Sequence, residues 1–187
     1  MTLEATRHGP LEGRALPANA QVMAVALAPA SRWILRGGAD AALAVAPAFG
    51  VEPRLGPLQS AYVGERAALW LAPDEWLLIA DDTPVELEAA MAAALSGVFH
   101  SLVDVSHRQV GIDIEGPGAA RGLAAGCPLD LDLPAFPVGM VVRTLFFKAE
   151  VTLWRRAAAR FRLEALRSFS PYVAAALTQA AREQEVS

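Results

Sequence analysis

One order of elements occurs twice along this chain of 187 residues, and that repetition restricts the folds open to it. Residues 34–38 and 112–116 each read as a strand ending in glycine. Each leads into a small helix, carrying Ala41, Ala42 and Leu43 in one copy and Ala119, Ala120 and Leu123 in the other. A Pro-rich connection follows in both, VEPRLGPLQS and CPLDLDLPAFPVG. Leu69-Trp70 then corresponds to Leu153-Trp154, and Trp76 and Leu78 to Phe161 and Leu163. Thr83-Pro84 and Ser170-Pro171 each open a closing helix. Matches in one order point to a duplicated strand–helix–strand–strand–helix unit at a spacing of about 80 residues. Such a unit predicts an α+β fold of antiparallel-rich sheets with helices packed on one face of each. Residues 1–20 lack periodicity and read as a flexible N-terminal arm. Residues 21–187 read as a single domain of two pseudo-repeat lobes, about 21–97 and 98–187.

Alternation and punctuation give the elements. Residues 22–27, 33–36, 66–71 and 75–80 read as strands, the last two joined by a turn at Ala72-Pro73-Asp74. Residues 39–46 read as a helix ended by Pro47. Thr83 caps a helix with Pro84 at its first position. The stretch 103–131 carries an alternating extended run, a Gly-Pro-Gly turn and a short helix. There Pro117 takes the first-turn position and Gly126 the left-handed stop. Residues 140–166 form a longer strand region that the first copy lacks. Val142, Thr144, Phe146 and Lys148 share one of its faces, and the mixed faces predict a strand covered on both sides.

Composition excludes several classes. A net charge of −4 makes no global case for nucleic acid or an anionic membrane. The single cysteine, Cys127, rules out an internal disulfide and a cysteine cage for a metal, and fits a reducing compartment. No stretch approaches the ~20 apolar residues of a membrane span, and the chain reads as cytoplasmic. An apolar fraction of 54% suggests surface hidden against another subunit.

Four patterns imitate functional sites. Gly116-x-Gly118 follows a strand and opens a helix, like a dinucleotide fingerprint, but Arg121 stands where the third glycine belongs. Asp104, Ser106 and His107 imitate a triad, yet strand neighbours point to opposite faces; a strand end bonded to a turn is the better reading. His8, His100 and His107 have no ligand spacing, so no metal site is expected. Residues 140–167 hold seven basic side chains against Glu150 and Glu164. Alternation places Arg160 and Arg162 together, with Arg143 nearby in the pattern. The three are candidates for a face meeting a carboxylate-bearing ligand or an acidic partner.

The run 103–131, the Phe136-Pro137-Val138-Gly139 turn, Arg143-Thr144, Leu153-Trp154-Arg155, Arg167-Ser168-Phe169 and WLAPDEWLL together resemble the gamma subunit of heterotetrameric sarcosine oxidase. The 103–131 run also resembles the folate-binding region of the glycine-cleavage T-protein, an aminomethyltransferase. The resemblance implies a fold like the T-protein folate-binding domain and a place beside alpha, beta and delta subunits. The enzyme so implied demethylates sarcosine oxidatively to glycine, making hydrogen peroxide and methylene-tetrahydrofolate. It implies FAD, FMN and NAD in the alpha and beta subunits and zinc in delta, with no catalytic residue on gamma. A stand-alone tetrahydrofolate-binding module and the gamma-like subunit of N-methylglutamate dehydrogenase are the alternatives.

Overall fold

The computed structural model of the chain describes residues 9–81 and 86–183, so His8 and the Thr83-Pro84 cap lie outside the described residues. Fourteen elements follow in two rounds of one order. The first round is β1 (Met23–Ala26), β2 (Ser31–Gly37), α1 (Ala39–Phe49), β3 (Ser60–Val63), β4 (Arg66–Ala72), β5 (Glu75–Ala80) and α2 (Leu87–Ala94). The second is β6 (His100–Asp104), β7 (Gln109–Glu115), α3 (Ala119–Ala124), β8 (Val141–Phe146), β9 (Ala149–Ala157), β10 (Arg160–Leu166) and α4 (Ser170–Glu183).

The rounds build two five-stranded sheets, β1-β7-β10-β9-β8 and β6-β2-β5-β4-β3, paired antiparallel throughout. The order is the same, but the first strand of each round is exchanged: β1 pairs β7, and β6 pairs β2. The glycine that ends β2, Gly37, and the glycine just after β7, Gly116, hold this exchange. Gly37 donates to Asp74 O and Gly116 to Ala159 O, each in the hairpin turn of its own round. A Cβ on Gly37 would meet Phe99 O at the lead-in to β6; one on Gly116 would overlap Gln21 O at the lead-in to β1. Gly116 also has φ of 127°, open in practice only to glycine.

Register corrects two of the expected pairings by one residue. Trp33 pairs Leu78 as Ile112 pairs Leu163, so Ile112 is the counterpart of Trp33, not of Ile34. Likewise Ala68 pairs Leu78 as Leu153 pairs Leu163, making Trp154 the counterpart of Leu69. A slip of one residue matters because it turns a side chain to the other face.

Packing makes four layers, helices–sheet–sheet–helices. Ile112, Ile114, Phe161 and Leu163 bury one outer face under Leu123 of α3 and Val173 and Leu177 of α4. Trp33, Leu35, Trp76 and Leu78 bury the other under Val45 and Phe49 of α1 and Met91 of α2. The inner faces meet through Leu69, Leu71, Leu77, Ile79, Val141 and Trp154. β5 is buried on both faces, which is why its sequence, EWLLIA, is nearly continuous in apolar residues. At one side the edges β3 and β8 are tied together: Ser60 N donates to Gly139 O at 3.0 Å and Val141 N to Leu58 O at 3.0 Å.

Several local expectations are overturned. α1 continues through Pro47 to Phe49, because a proline in the last turn forfeits one hydrogen bond while Phe49 is fully buried; Gly50, at φ 80°, ends it. Pro117 precedes α3 in a turn closed by Ala119 N to Gly116 O, and Gly118 is the N-cap. Gly126 is absent from the left-handed residues; a side chain there would collide with the ring of Phe147. Ser170 is the first residue of α4 and its hydroxyl donates to Arg167 O, so it does not cap the helix by accepting. The second round has no added strand, since β8 is the counterpart of β3. As an edge strand it leaves Arg143 and Leu145 exposed, not covered on both sides.

Candidate functional site: the cleft between the sheets

Strand alternation sends Arg32, Ile34 and Arg36 of β2 toward the sheet that holds β10, and Arg160, Arg162 and Glu164 of β10 toward the sheet that holds β2. Charges buried in such an interface need partners, and Arg32, Arg162 and Glu164 have them. Arg32 donates to both oxygens of Glu164, Nε to Oε2 at 2.8 Å and Nη2 to Oε1 at 3.2 Å. Arg162 Nε donates to Glu164 Oε1 at 2.8 Å, and its Nη1 and Nη2 take the two oxygens of Asp81 at 2.8 and 3.1 Å. Arg32 and Glu164 are 1% and 2% exposed. Burial alone would lower the Arg162 pKa, but Glu164 and Asp81 raise it above the ordinary arginine value. Gly111 belongs to this arrangement: a Cβ there would lie 3.0 Å from Glu164 Oε1 and 3.1 Å from Arg32 Nη2.

Beside the quartet opens a cleft of about 340 Å³. Ile34, Leu71, Val103, Val105 and Val151 give it an apolar floor; Arg36, Glu75, Arg108, Gln109, Arg143 and Glu150 supply polar groups. Glu75 opens β5 and bridges the sheets. It accepts from Arg36 Nε at 2.8 Å and from Arg143 Nη2 at 2.5 Å. Burial would raise the Glu75 carboxyl, but hydrogen bonds and charge from Arg143 and Arg36 hold it below 4.5.

Arg143 thus lines the cleft with its side chain 40% exposed, while Arg162 is consumed in the quartet. Arg160 is bound to Asp113, Nε to Oδ2 at 2.8 Å, and lies instead in a shallow depression with Met23 and Glu115. Asp113 and Glu115 push its pKa up against a smaller lowering by burial. The three candidate arginines do not converge, and each already holds a carboxylate of its own chain. Arg32, Arg36, Glu75 and Gln109 went unremarked in the sequence, although the alternation that singled out Arg160 and Arg162 applies equally to Arg32 and Arg36 around Trp33 and Leu35.

The imitation sites resolve into structure. Ser106 donates to Asp104 Oδ1 at 2.5 Å and accepts from Arg32 N at 2.9 Å, tying the turn between β6 and β7 to β2. His107 is exposed and makes no hydrogen bond among the described residues. The amides of Gly116 and Gly118 are spent on Ala159 O and Gln21 O, leaving none to cradle a phosphate. Cys127 is buried beside Thr144, and burial pushes its thiol up, away from reactivity. Among the described residues no His, Cys, Asp and Glu cluster in metal-binding geometry, and no helix is long and apolar enough to cross a membrane.

The sequence profile described as "Sarcosine oxidase, gamma subunit family" matches residues 36–183. The chain belongs to the sarcosine oxidase gamma subunit family. Curated relatives in that family include the sarcosine oxidase subunit gamma of Corynebacterium sp. (strain P-1), 36% identical over 66% of this chain and 60% of the relative. That of Corynebacterium sp. (strain U-96) is 33% identical over 71% of this chain and 63% of the relative. The matched part therefore spans under two thirds of these relatives' length. Among solved structures, a chain of the heterotetrameric sarcosine oxidase from Corynebacterium sp. U-96 superposes with a TM-score of 0.87 at 29% identity, over 95% of both chains. The aminomethyltransferase T of the Bartonella henselae glycine cleavage system gives a TM-score of 0.64 at 15% identity, over 84% of this chain and 45% of that one. The second match shows the shared T-protein-like fold alone.

Proposed function

We propose that this chain is the gamma subunit of a cytoplasmic heterotetrameric sarcosine oxidase, a non-catalytic component assembled with alpha, beta and delta subunits. The observation that carries the reading is the superposition over 95% of both chains on a chain of a heterotetrameric sarcosine oxidase. The side chains agree in kind. The buried charges of the cleft neutralise one another as structural ion pairs, and the near-triad and near-fingerprint are spent on backbone and turn. The oxidative demethylation of sarcosine to glycine, with hydrogen peroxide and methylene-tetrahydrofolate as further products, then belongs to the other subunits. FAD, FMN, NAD and zinc go with those partners.

Co-expression with the flavin-bearing subunits tests this. A tag on this chain should retain alpha, beta and delta in equal amounts through size exclusion, with sarcosine-dependent peroxide formation in the same fraction. A chain that elutes alone while the other subunits assemble without it overturns the reading. Turnover of N-methylglutamate in place of sarcosine by the purified complex would assign the chain to the related dehydrogenase.

A further inference from the structure

The cleft holds polar groups that the ion pairs leave over. The quartet of Arg32, Arg162, Glu164 and Asp81 is neutral within itself. Of the remaining lining, Arg36, Arg108 and Arg143 stand against Glu75 and Glu150, three positive charges against two negative. Arg36 and Arg143 share the one Glu75 carboxylate, and a guanidinium has five N–H donors, so both keep donors to spare. Arg108 makes no ion pair or side-chain hydrogen bond among the described residues, and it lines the same cleft. Next to it, Gln109 has its Oε1 buried with no donor among the described residues. A buried acceptor left unpaired keeps its full desolvation penalty, so native folds supply a partner from protein, water or ligand. Gln109 lines the cleft and also a smaller recess of about 140 Å³.

We propose that this cleft binds a small organic carboxylate that also carries an N–H or O–H donor. Arg108 and the spare donors of Arg143 take the carboxylate, Gln109 Oε1 accepts from the donor, and the short apolar body lies on Ile34, Val103 and Val105. Planar guanidinium forks suit a carboxylate better than a point charge does. A volume of about 340 Å³ lies at the low end of ligand pockets, which suits a compact acid over an extended cofactor. The inference is independent of subunit assembly and stands or falls on the chain itself.

Methyl NMR of the full chain tests it with three probes: N-acetylglycine, which has both groups; butyrate, which lacks the donor; and neutral butyramide. N-acetylglycine should shift the methyls of Val103 and Val105 saturably while leaving Leu11 of the recess unmoved. Butyrate should do so more weakly and butyramide not at all. Arg108→Gln, at an exposed position that threatens no packing, should weaken N-acetylglycine about tenfold or more. Gln109→Leu should weaken N-acetylglycine and leave butyrate unchanged, whereas Arg121→Gln on α3 should alter neither. No saturable shift at millimolar N-acetylglycine, equal binding of butyramide, or full binding by Arg108→Gln overturns the proposal.

Discussion

Arg32 and Glu164 are symmetry-breaking residues. Arg32 pairs Ile79 across β2 and β5, while at the matching place in the other sheet Gly111 pairs Glu164 across β7 and β10. The duplicated scaffold therefore carries Ile79 where its copy carries Glu164, and Leu77 where its copy carries Arg162. The first copy shows what the position accommodates without charge. Breaking the network is a different matter: Glu164→Gln leaves Arg32 and Arg162 in the interface with one carboxylate fewer, a loss of about 3–5 kcal/mol in urea unfolding. The triple variant Arg32→Met, Arg162→Leu, Glu164→Ile removes the charges together, and it should lose less than Glu164→Gln does alone. A triple variant weaker than the single one would contradict this. Glu75 sets a pH dependence of known sign. Its folded pKa lies below 4.5, so the stabilisation is complete above the ordinary carboxylate range and is lost as pH falls through the folded value. Glu75→Gln should therefore flatten the decline of thermal stability on the acid side and leave the slope above neutrality alone.

Among the elements, the exchanged strands β1 and β6 are fastened by backbone and glycine, not by large side chains. Gly118 N donates to Gln21 O at 2.9 Å, and Gly116 presses directly on that carbonyl. Gly116→Ala meets both a positive φ and backbone that cannot move aside, so it should cost about 2–4 kcal/mol by chemical denaturation. Gly118→Ala, with φ of −92°, should cost less. Equal losses would mean that the clasp is not what constrains residue 116. Sequence pattern reached Gly116 as a strand end and reached β5 to the residue, because an uninterrupted apolar run between a turn and a charged pair has few other readings. It missed β3, four half-exposed residues without alternation, whose strand state comes from pairing with β4. The same limit holds at the cleft. Alternation identified inward arginines, but their partners Asp81, Asp113 and Glu75 lie far away in sequence, and only the sheet register brings them together.

At the scale of the whole molecule, the exchange makes the two rounds interdependent. A fragment of residues 1–97 would contain β2 to β5 without β6 at their edge, and its β1 would have no β7 to pair with. The complementary fragment would lack β1 and expose the edge of β7. Each would also uncover the inner face that Leu69, Leu77, Ile79 and Trp154 close, and the first would leave Arg32 and Asp81 without Glu164 and Arg162. Exposed strand edges and apolar sheet faces favour aggregation over independent folding. The full chain should accordingly unfold in one cooperative transition, with equal midpoints by tryptophan fluorescence and far-ultraviolet dichroism. Fragments 1–97 and 98–187 should each lack a transition, and mixing them should restore one. Two separate transitions in the intact chain, or a fragment that melts cooperatively alone, would show two independent lobes. The edges tied at Ser60 and Val141 would then be a hinge between them, not a seam within one domain.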